Sequence, residues 1–360
     1  MTKFGFVIHP INKGDVARKY PIAQYFPESF IETALRFKKP IVVSDITGIR
    51  SKTGVESEGW FIGCPLTPNM MVKSMPTEFV YDRIVQCTEI AAAQGASLIG
   101  LGAFTSVVGD GGITIAQRSK IGVTTGNSYT VATAIQGILR ACHLLDVEVP
   151  SATLAVIGAT GSIGKTCARI LAREFEKVVL VGRDLDRTRE VASEMPNAVA
   201  SDEVKSIKEA DAIITVTSSE TAIVQPEHLK PGAVVCDVAR PRDVSTRVAE
   251  QRKDVLVIEG GVVRVPGNVD FHFDFGFPAK TAFACMSETM MLALEGNPAL
   301  YNFTLGKDVS VEQVETISAL AEKHGFELAG FRSFEHEVSE EAISRARKAR
   351  LIANTVPRTA

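Results

Sequence analysis

Residues 153–164 of this 360-residue chain read TLAVIGATGSIG. The first five residues predict a buried strand, three glycines follow at once, and residues 163–174 predict a helix. Glycines at this spacing permit a tight turn, let the backbone approach a pyrophosphate and leave the helix N-terminus available to negative charge. Because the glycines lie between a predicted strand and a predicted helix, a dinucleotide phosphate loop is favoured over a glycine-rich turn without ligand. The predicted cofactor-binding residues are Gly158, Thr160, Gly161, Ser162, Ile163 and Gly164.

The end of the next predicted strand, 177–181, indicates which dinucleotide is bound. NAD sites usually place an acid there, about 20 residues after the loop, to bind the ribose hydroxyls. Here the strand is followed by Gly182 and Arg183, and Arg183 could bind a 2′-phosphate with Arg187 or Arg189 in support. NADP(H) is therefore the predicted cofactor. Asp184 is the competing residue, since a strand ending two residues later would place an acid at the ribose.

Further strands are predicted at 212–216, 233–237 and 255–258, and they alternate with helices. Short strands alternating with helices predict an α/β fold, here a Rossmann-type doubly wound parallel sheet. We predict three parts: a separate N-terminal α/β substrate domain (1–128), the nucleotide-binding domain (129–267) and a helical C-terminal segment (268–360). In the first part the pattern predicts a buried strand at 40–45, a loop at 48–59, a helix at 76–94 and a strand at 96–103.

The composition is that of an ordinary globular protein, with 45% hydrophobic and 22% charged residues. The net charge of -3 gives no general attraction to nucleic acid or to an anionic membrane. No apolar run approaches the roughly 18 residues of a membrane-spanning helix, and the first ten residues do not resemble a signal peptide. The six cysteines show no paired spacing, so a disulfide framework or zinc knuckle is not expected and a cytoplasmic location is predicted.

Cys285 differs from the other cysteines in its predicted position. Cys87, Cys142, Cys167 and Cys236 lie in apolar patterns that predict small core residues. Cys285 lies in the first turns of a helix predicted over 280–294, where the helix dipole would lower the pKa of the thiol. On these grounds alone, a buried structural cysteine remains the stronger interpretation.

The surrounding residues add a family resemblance. Phe283-Ala284-Cys285, Glu288-Thr289-Met290-Met291-Leu292 and Glu295-Gly296 together resemble the active-site segment of the cyanobacterial long-chain fatty acyl-(acyl-carrier-protein) reductases. Other stretches between residues 95 and 326 agree in the same order: Gly102-Ala103-Phe104-Thr105-Ser106, Thr124-Thr125-Gly126-Asn127-Ser128-Tyr129-Thr130, Gly158-Ala159-Thr160-Gly161, Gly260-Gly261-Val262-Val263 and His324-Gly325-Phe326.

This resemblance implies NADPH-dependent reduction of a fatty acyl thioester to a fatty aldehyde, with Cys285 forming an acyl-enzyme. Thr105 and Ser106, or the N-terminus of the Cys285 helix, would donate hydrogen bonds to the tetrahedral intermediate. His272, the histidine nearest in sequence, would assist proton transfer or be structural. Phe104, Thr125 and Asn127 are the predicted substrate residues, although Asn127 could instead cap a helix.

The resemblance also implies partners. Acyl-carrier protein or acyl-CoA would donate the thioester, a further enzyme would consume the aldehyde, and Mg²⁺ would act as a stimulator. Because acyl-carrier protein is acidic, a basic docking patch is expected. The candidate basic run is Arg345, Arg347, Lys348 and Arg350, for which a solvated helix face is the favoured interpretation.

Two alternatives remain open from the sequence. The stretch 237–241 (DVARP) and a substrate domain preceding a nucleotide domain also suit a shikimate-dehydrogenase-like or methylene-tetrahydrofolate-dehydrogenase-like enzyme, in which hydride transfer is direct and no cysteine is needed. A non-catalytic NADP-binding sensor would keep the glycines and Arg183, but would not need a reactive thiol at Cys285.

Overall fold

The computed structural model describes residues 1–355, apart from the side chains of Arg18, Lys19 and Asn354. The chain divides into two compact units. Unit one comprises Met1–Tyr129, Val263–Val309 and Glu315–Glu327, and unit two comprises Thr130–Val262, Ser310–Val314 and Leu328–Ala360. The predicted C-terminal segment 268–360 is thus divided between both units.

The strands are β1 (Lys3–Ile8), β2 (Ile41–Arg50), β3 (Glu56–Gly63), β4 (Leu98–Gly100), β5 (Gly122–Thr124), β6 (Thr153–Ile157), β7 (Lys177–Val181), β8 (Ala198–Ser201), β9 (Ala212–Thr215), β10 (Val234–Asp237), β11 (Leu256–Glu259), β12 (Val262–Arg264), β13 (Gly267–Asp270), β14 (Thr281–Phe283), β15 (Glu327–Leu328), β16 (Arg332–Ser333) and β17 (His336–Glu337). The α-helices are α1 (Lys13–Lys19), α2 (Glu28–Arg36), α3 (Thr77–Ala93), α4 (Ile113–Arg118), α5 (Asn127–Leu144), α6 (Ser162–Leu171), α7 (Leu185–Ala192), α8 (Thr246–Gln251), α9 (Ala284–Glu295), α10 (Val311–His324) and α11 (Glu340–Thr355).

Unit two contains a six-stranded sheet in the order β11-β10-β9-β6-β7-β8. Every neighbouring pair in this sheet is parallel. This is the strand order of a doubly wound nucleotide-binding fold, with the first strand of the unit, β6, in the centre. The predicted α/β Rossmann-type fold class is confirmed, and β6 and β7 have the predicted bounds.

Unit one contains a second six-stranded sheet, in the order β13-β2-β3-β1-β4-β5. Strands β3, β1, β4 and β5 run parallel, whereas β2 and β13 join the edge antiparallel. Since the strand order reverses at β1, the loops that follow the parallel strands diverge at its carboxyl end. That edge is where a ligand site is expected in an open α/β sheet.

Helices α3 and α9 cover opposite faces of this sheet. Both pack against β1, β3 and β4. A Cβ added to Gly5 would meet Ala91 of α3 at 2.8 Å, whereas one added to Gly100 would meet the Thr289 hydroxyl of α9 at 2.0 Å. Successive strand residues face opposite sides, and the absence of side chains at these glycines lets both helices lie close to the strands.

Two predictions for unit one were wrong in detail. The predicted strand 40–45 extends to Arg50, and its first residues, Ile41 and Val42, are exposed rather than buried. Residues 48–59, predicted as a loop, contain the end of β2, a short turn and the start of β3. The polar residues there alternate in a solvent-facing antiparallel pair, a pattern that is easily mistaken for a loop because only one face is apolar.

The predicted helix over 280–294 begins four residues later than expected. Thr281–Phe283 forms β14, and α9 starts at Ala284 with Phe283 as its N-cap. Cys285 is therefore the second residue of the helix. None of the helices within residues 1–355 is long and apolar enough to span a membrane.

Candidate active site

The phosphate loop has the geometry that its glycines predict. Gly158 has a φ of +85°, and a Cβ there would lie 2.5 Å from the carbonyl oxygen of Val216. A Cβ on Gly164 would lie 2.4 Å from the carbonyl oxygen of Gly158. Gly161 is the N-cap of α6 and has no side chain that could cap the helix. The N–H groups of the first turn therefore lie beside an exposed glycine, where a phosphate can approach them. A side chain at Gly158 or Gly164 would close this backbone cradle.

Asp184 was the alternative to Arg183 for the contact with the ribose, and its carboxylate is used as a helix cap. Strand β7 ends at Val181, and the carboxylate of Asp184 caps α7 by accepting from the N–H of Arg187 at 3.2 Å. Arg183 itself is exposed, and Arg189 pairs with Asp186 at 3.0 Å. Arg183 is therefore the first charged side chain after β7.

In unit one, the loop after β4 contacts the residue that follows β1. The N–H of Phe104 donates to Nε2 of His9 at 3.3 Å, and the two rings meet edge to face at 6.1 Å. Nδ1 of His9 lies 3.1 Å from the carbonyl oxygen of Pro10, which requires the proton on Nδ1. Burial lowers the pKa of His9, so the ring is neutral near pH 7. His9 is not among the residues predicted from the sequence, although it directly follows β1.

Thr105 and Ser106 hold this loop in shape. The Thr105 hydroxyl donates to the carbonyl oxygen of Gly102 at 2.8 Å and accepts from its N–H at 3.0 Å. The Ser106 hydroxyl donates to the carbonyl oxygen of Ala103 at 2.7 Å. Both side chains are buried. In this conformation their protons are used within the turn, so their role as donors to a reacting oxygen stays a prediction.

Cys285 meets the loop after β5, which contains Thr125 and Asn127. Gly126 has a φ of +74°, and a Cβ there would lie 2.3 Å from Cα and 2.4 Å from Cβ of Cys285. The two predicted motifs, far apart in sequence, are thus in direct backbone contact. Thr125 and Asn127 are both buried, and Thr125 donates to the carbonyl oxygen of Thr304 at 3.2 Å. Asn127 is the first residue of α5.

One turn along α9, Glu288 binds the same loop. Its Oε1 accepts from the hydroxyls of Thr124 at 2.6 Å and Thr304 at 2.9 Å. Its Oε2 accepts from the hydroxyl of Ser128 at 2.7 Å and the N–H of Tyr129 at 3.0 Å. The side chain is fully buried, and four neutral donors satisfy its charge. Glu288 belongs to a motif quoted from the sequence, but its role was not predicted.

The expectation of a lowered pKa for the Cys285 thiol is wrong. Burial, followed by the negative charge of Glu288, raises the pKa of Cys285 to about 12. A hydrogen bond from the Met286 backbone lowers the pKa and exceeds the effect of Glu288, and one from the Cys285 backbone lowers it less, but burial is the largest effect. A helix N-terminus contributes only a partial charge, which desolvation of the thiolate outweighs.

The raised pKa predicts slow alkylation of Cys285 at neutral pH. With a pKa of about 12, only about one thiol in 10⁴ is ionised at pH 8, and the thiolate is the reactive form. We expect the iodoacetamide rate at Cys285, followed by peptide mass spectrometry, to rise about tenfold per pH unit through pH 10. A rate that reaches a plateau near pH 8 would contradict this environment for the thiol.

His272 lies at the surface, where it contacts Asp45 and Asp270. Its Nδ1 is 3.3 Å from the carbonyl oxygen of Asp45, and its Nε2 is 3.5 Å from the carboxylate of Asp270. Its side chain is 43% exposed, and its φ is +47°. Proximity in sequence was the basis for choosing His272. Its function in proton transfer stays a prediction.

The basic run in α11 is partly internal to unit two. Arg350 is buried and pairs with Asp211 at 2.7 Å, and Arg347 donates to the carbonyl oxygen of Leu144 at 2.7 Å. The interpretation of this run as a solvated helix face is therefore wrong for Arg350. Among the described residues, no group of three or more His, Cys, Asp or Glu side chains is arranged to hold a metal ion.

Comparison with known proteins gives one family match and several relatives. Residues 141–259 match the model described as Shikimate / quinate 5-dehydrogenase. The long-chain acyl-[acyl-carrier-protein] reductase of Synechococcus elongatus is 26% identical over 304 residues, which cover 80% of this chain and 87% of that protein. The bifunctional protein FolD of Listeria welshimeri is 28% identical over 135 residues, which cover 37% of this chain and 42% of FolD.

Aminotransferase PigE of Serratia sp. is 28% identical over 356 residues, which cover 95% of this chain but 41% of PigE. This chain therefore spans less than half the length of that relative. Taken together, the similarities support an NAD(P)-dependent oxidoreductase with a Rossmann-type nucleotide-binding unit.

Proposed function

We propose that this protein reduces long-chain fatty acyl thioesters to fatty aldehydes with NADPH, through an acyl-enzyme on Cys285. The observation that carries the proposal is the contact between Gly126 and Cys285. It joins two motifs of the family resemblance at the carboxyl edge of the sheet in unit one, where a substrate is expected. The similarity to the Synechococcus elongatus reductase, which extends over 80% of the chain, supports it. Acyl-carrier protein is the proposed donor and acyl-CoA the alternative donor.

The first half-reaction needs only the chain and the substrate. Cys285 Sγ attacks the thioester carbonyl carbon, its proton passes to the departing carrier thiol, and a Cys285 thioester remains. The N–H groups in the first turn of α9 are donors for the developing oxyanion, since Phe283 provides no side-chain cap there. The raised pKa of Cys285 means that proton removal must accompany attack.

The second half-reaction requires a reductant. The phosphate loop has the shape expected for binding a dinucleotide reductant such as NADPH. Gly158 and Gly164 leave a cradle that a Cβ would fill, and Arg183 follows β7 at the position expected for a 2′-phosphate contact. NADPH, when bound, would supply the hydride that converts the thioester carbonyl into an aldehyde. Cys285 then leaves as thiolate and regains a proton. One acyl thioester, one NADPH and one proton thus give one aldehyde, one carrier thiol and NADP⁺.

Intact-protein mass spectrometry tests the proposal. Incubation with palmitoyl-carrier protein or palmitoyl-CoA alone is expected to add one acyl group at Cys285. Adding NADPH is expected to remove the adduct while hexadecanal appears. If neither donor yields an adduct or aldehyde, although NADPH binds, the proposal is wrong.

The choice of NADPH over NADH depends on Arg183. Replacing it with alanine removes the charged partner of the 2′-phosphate, and we expect KM for NADPH to rise about tenfold or more while KM for NADH changes less than about twofold. Steady-state kinetics with both cofactors measures the difference. Arg173→Ala, an exposed arginine beyond the end of α6, is the control. An equal rise for both cofactors would show that Arg183 does not read the phosphate.

Direct hydride transfer to a different substrate is the second candidate. The family match at 141–259 lies in the nucleotide-binding part, the FolD similarity covers 37% of this chain, and a thiol with a pKa of about 12 is a poor nucleophile at rest. This candidate predicts turnover that survives the loss of Cys285. The mass-spectrometric experiment distinguishes the two, because direct transfer forms no adduct.

A further inference from the structure

Glu288 is a buried acid that precedes a mainly apolar stretch of α9. Residues 289–294 of α9 are Thr, Met, Met, Leu, Ala and Leu, and all are buried. A buried carboxylate is costly to maintain unless it is fully hydrogen-bonded. Glu288 meets this condition with four donors between 2.6 and 3.0 Å. These donors come from the end of β5, the start of α5 and the segment that follows α9.

The donors of Glu288 belong to the loop that touches Cys285. Thr124 precedes Gly126, whereas Ser128 and Tyr129 follow it, so both ends of the loop are bound to one carboxylate. Thr304 closes the network from the other side, because its hydroxyl contacts both Glu288 at 2.9 Å and Ser128 at 2.8 Å. Since Glu288 and Cys285 are three residues apart in α9, they lie on neighbouring positions of one helix face.

We propose that Glu288 is a positioning residue: its carboxylate fixes residues 124–128 against the first turns of α9, so that Cys285 and the loop keep one geometry for the incoming carbonyl group. The assignment of Cys285 as nucleophile rests on the proposed function, but the geometric role of Glu288 can be measured without it. Glu288 also places a negative charge beside the thiol, which a purely apolar clamp would not do.

Few other titratable groups surround this pair. Tyr129 lies at the start of α5, and burial together with Glu327 raises its pKa, so its phenol stays protonated in the range of interest. The groups contributed by Thr124, Ser128 and Thr304 are neutral hydroxyls. Glu288 is therefore the neighbouring negative charge that raises the pKa of Cys285, and removing it should change the pH dependence of Cys285 alkylation.

The test compares Glu288→Gln with Glu295→Gln in the full-length protein. Glu295 is on the same helix, near its end, and binds Lys323 and His324. At about 1.5 Å per residue it is about 15 Å from Cys285 along the helix.

For Glu288→Gln we expect kcat to fall about tenfold or more with a smaller change in KM. We also expect the pH profile of Cys285 alkylation to move down by about one pH unit, because a neighbouring negative charge is removed. Glu295→Gln should leave the alkylation profile and the ratio of kcat to KM near those of the wild type.

Thr304→Val provides a second test if Glu288→Gln does not fold. It removes one donor but keeps the carboxylate charge, so kcat should fall while the alkylation profile does not move to lower pH. Unchanged kcat and an unchanged alkylation profile in Glu288→Gln would overturn the proposal, as would equal effects in Glu288→Gln and Glu295→Gln. A shifted alkylation profile in a protein that forms no acyl adduct would instead show that the proposed function fails while Glu288 still controls the environment of Cys285.

Discussion

Replacing Cys285 with alanine is expected to lower kcat/KM for acyl-thioester reduction by about 10⁴-fold or more. The physical reason is that no acyl-enzyme can form without the sulfur, and the remaining oxyanion donors then have no tetrahedral intermediate to stabilise. We expect the acyl adduct to vanish in intact-protein mass spectrometry, and hexadecanal to fall to background. Binding of NADPH should persist, because the phosphate loop and Arg183 belong to unit two.

The matched control for this variant is Cys87→Ala. Cys87 is a buried cysteine of unit one, whereas Cys285 is half-buried; Cys87 lies in α3, where its thiol donates to the carbonyl oxygen of Arg83. Burial and a neighbouring Cys64 thiol raise its pKa, as burial raises that of Cys285, so the variant controls for the loss of a similar thiol in the same unit. The control should keep the adduct and the aldehyde. If Cys285→Ala still turns over the substrate at a similar rate, direct hydride transfer is the correct mechanism.

Replacing Gly126 with alanine is expected to lower kcat about 100-fold and to destabilise the protein by about 3 kcal/mol or more. Two effects combine. The φ of +74° is strained for alanine, and the new methyl group would lie 2.3 Å from Cα of Cys285. Because the clash is with backbone rather than with a flexible side chain, either the loop or the first turn of α9 must move. Thermal unfolding and steady-state kinetics measure the two consequences.

Gly54→Ala separates the backbone strain from the clash. Gly54 has a φ of +85°, in the turn between β2 and β3, and nothing lies within 4 Å of a Cβ built there. This variant should cost about 1–2 kcal/mol of stability and leave kcat unchanged. If the activities of the Gly54 and Gly126 variants fall equally, the contact between Gly126 and Cys285 has no special part in catalysis.

The candidate site in unit one combines segments that the sequence pointed to with residues that it did not. The sequence named Cys285, Thr125 and Asn127 through a family resemblance, and the structure brings their segments together at Gly126. It did not name His9, because the position directly after β1 gains meaning only when the loop after β4 is brought against it. It chose His272 by closeness in sequence, which says little about closeness in space once strands from distant segments pair.

Glu288 shows the same limit from another direction. An acid at helical spacing from Cys285, inside an apolar run, was visible in the sequence as an unusual residue. Its partners were not visible, because Thr124, Ser128 and Thr304 come from other elements. Without them a buried glutamate cannot be distinguished from an exposed one on a helix surface.

Local sequence patterns are sufficient to predict the nucleotide-binding fold of unit two. Strand, glycine turn and helix follow one another within residues 153–174, so short-range steric and hydrophobic patterns suffice to specify them. The protonation of Cys285 depends instead on tertiary contacts, since burial and, to a smaller extent, the charge of Glu288 raise its pKa to about 12. The fold of distant segments, rather than any local pattern, is responsible. The tertiary structure also decided the division of the C-terminal segment between two units. Solvation and neighbouring charge depend on residues brought together from distant parts of the chain, and a local pattern contains no information about them.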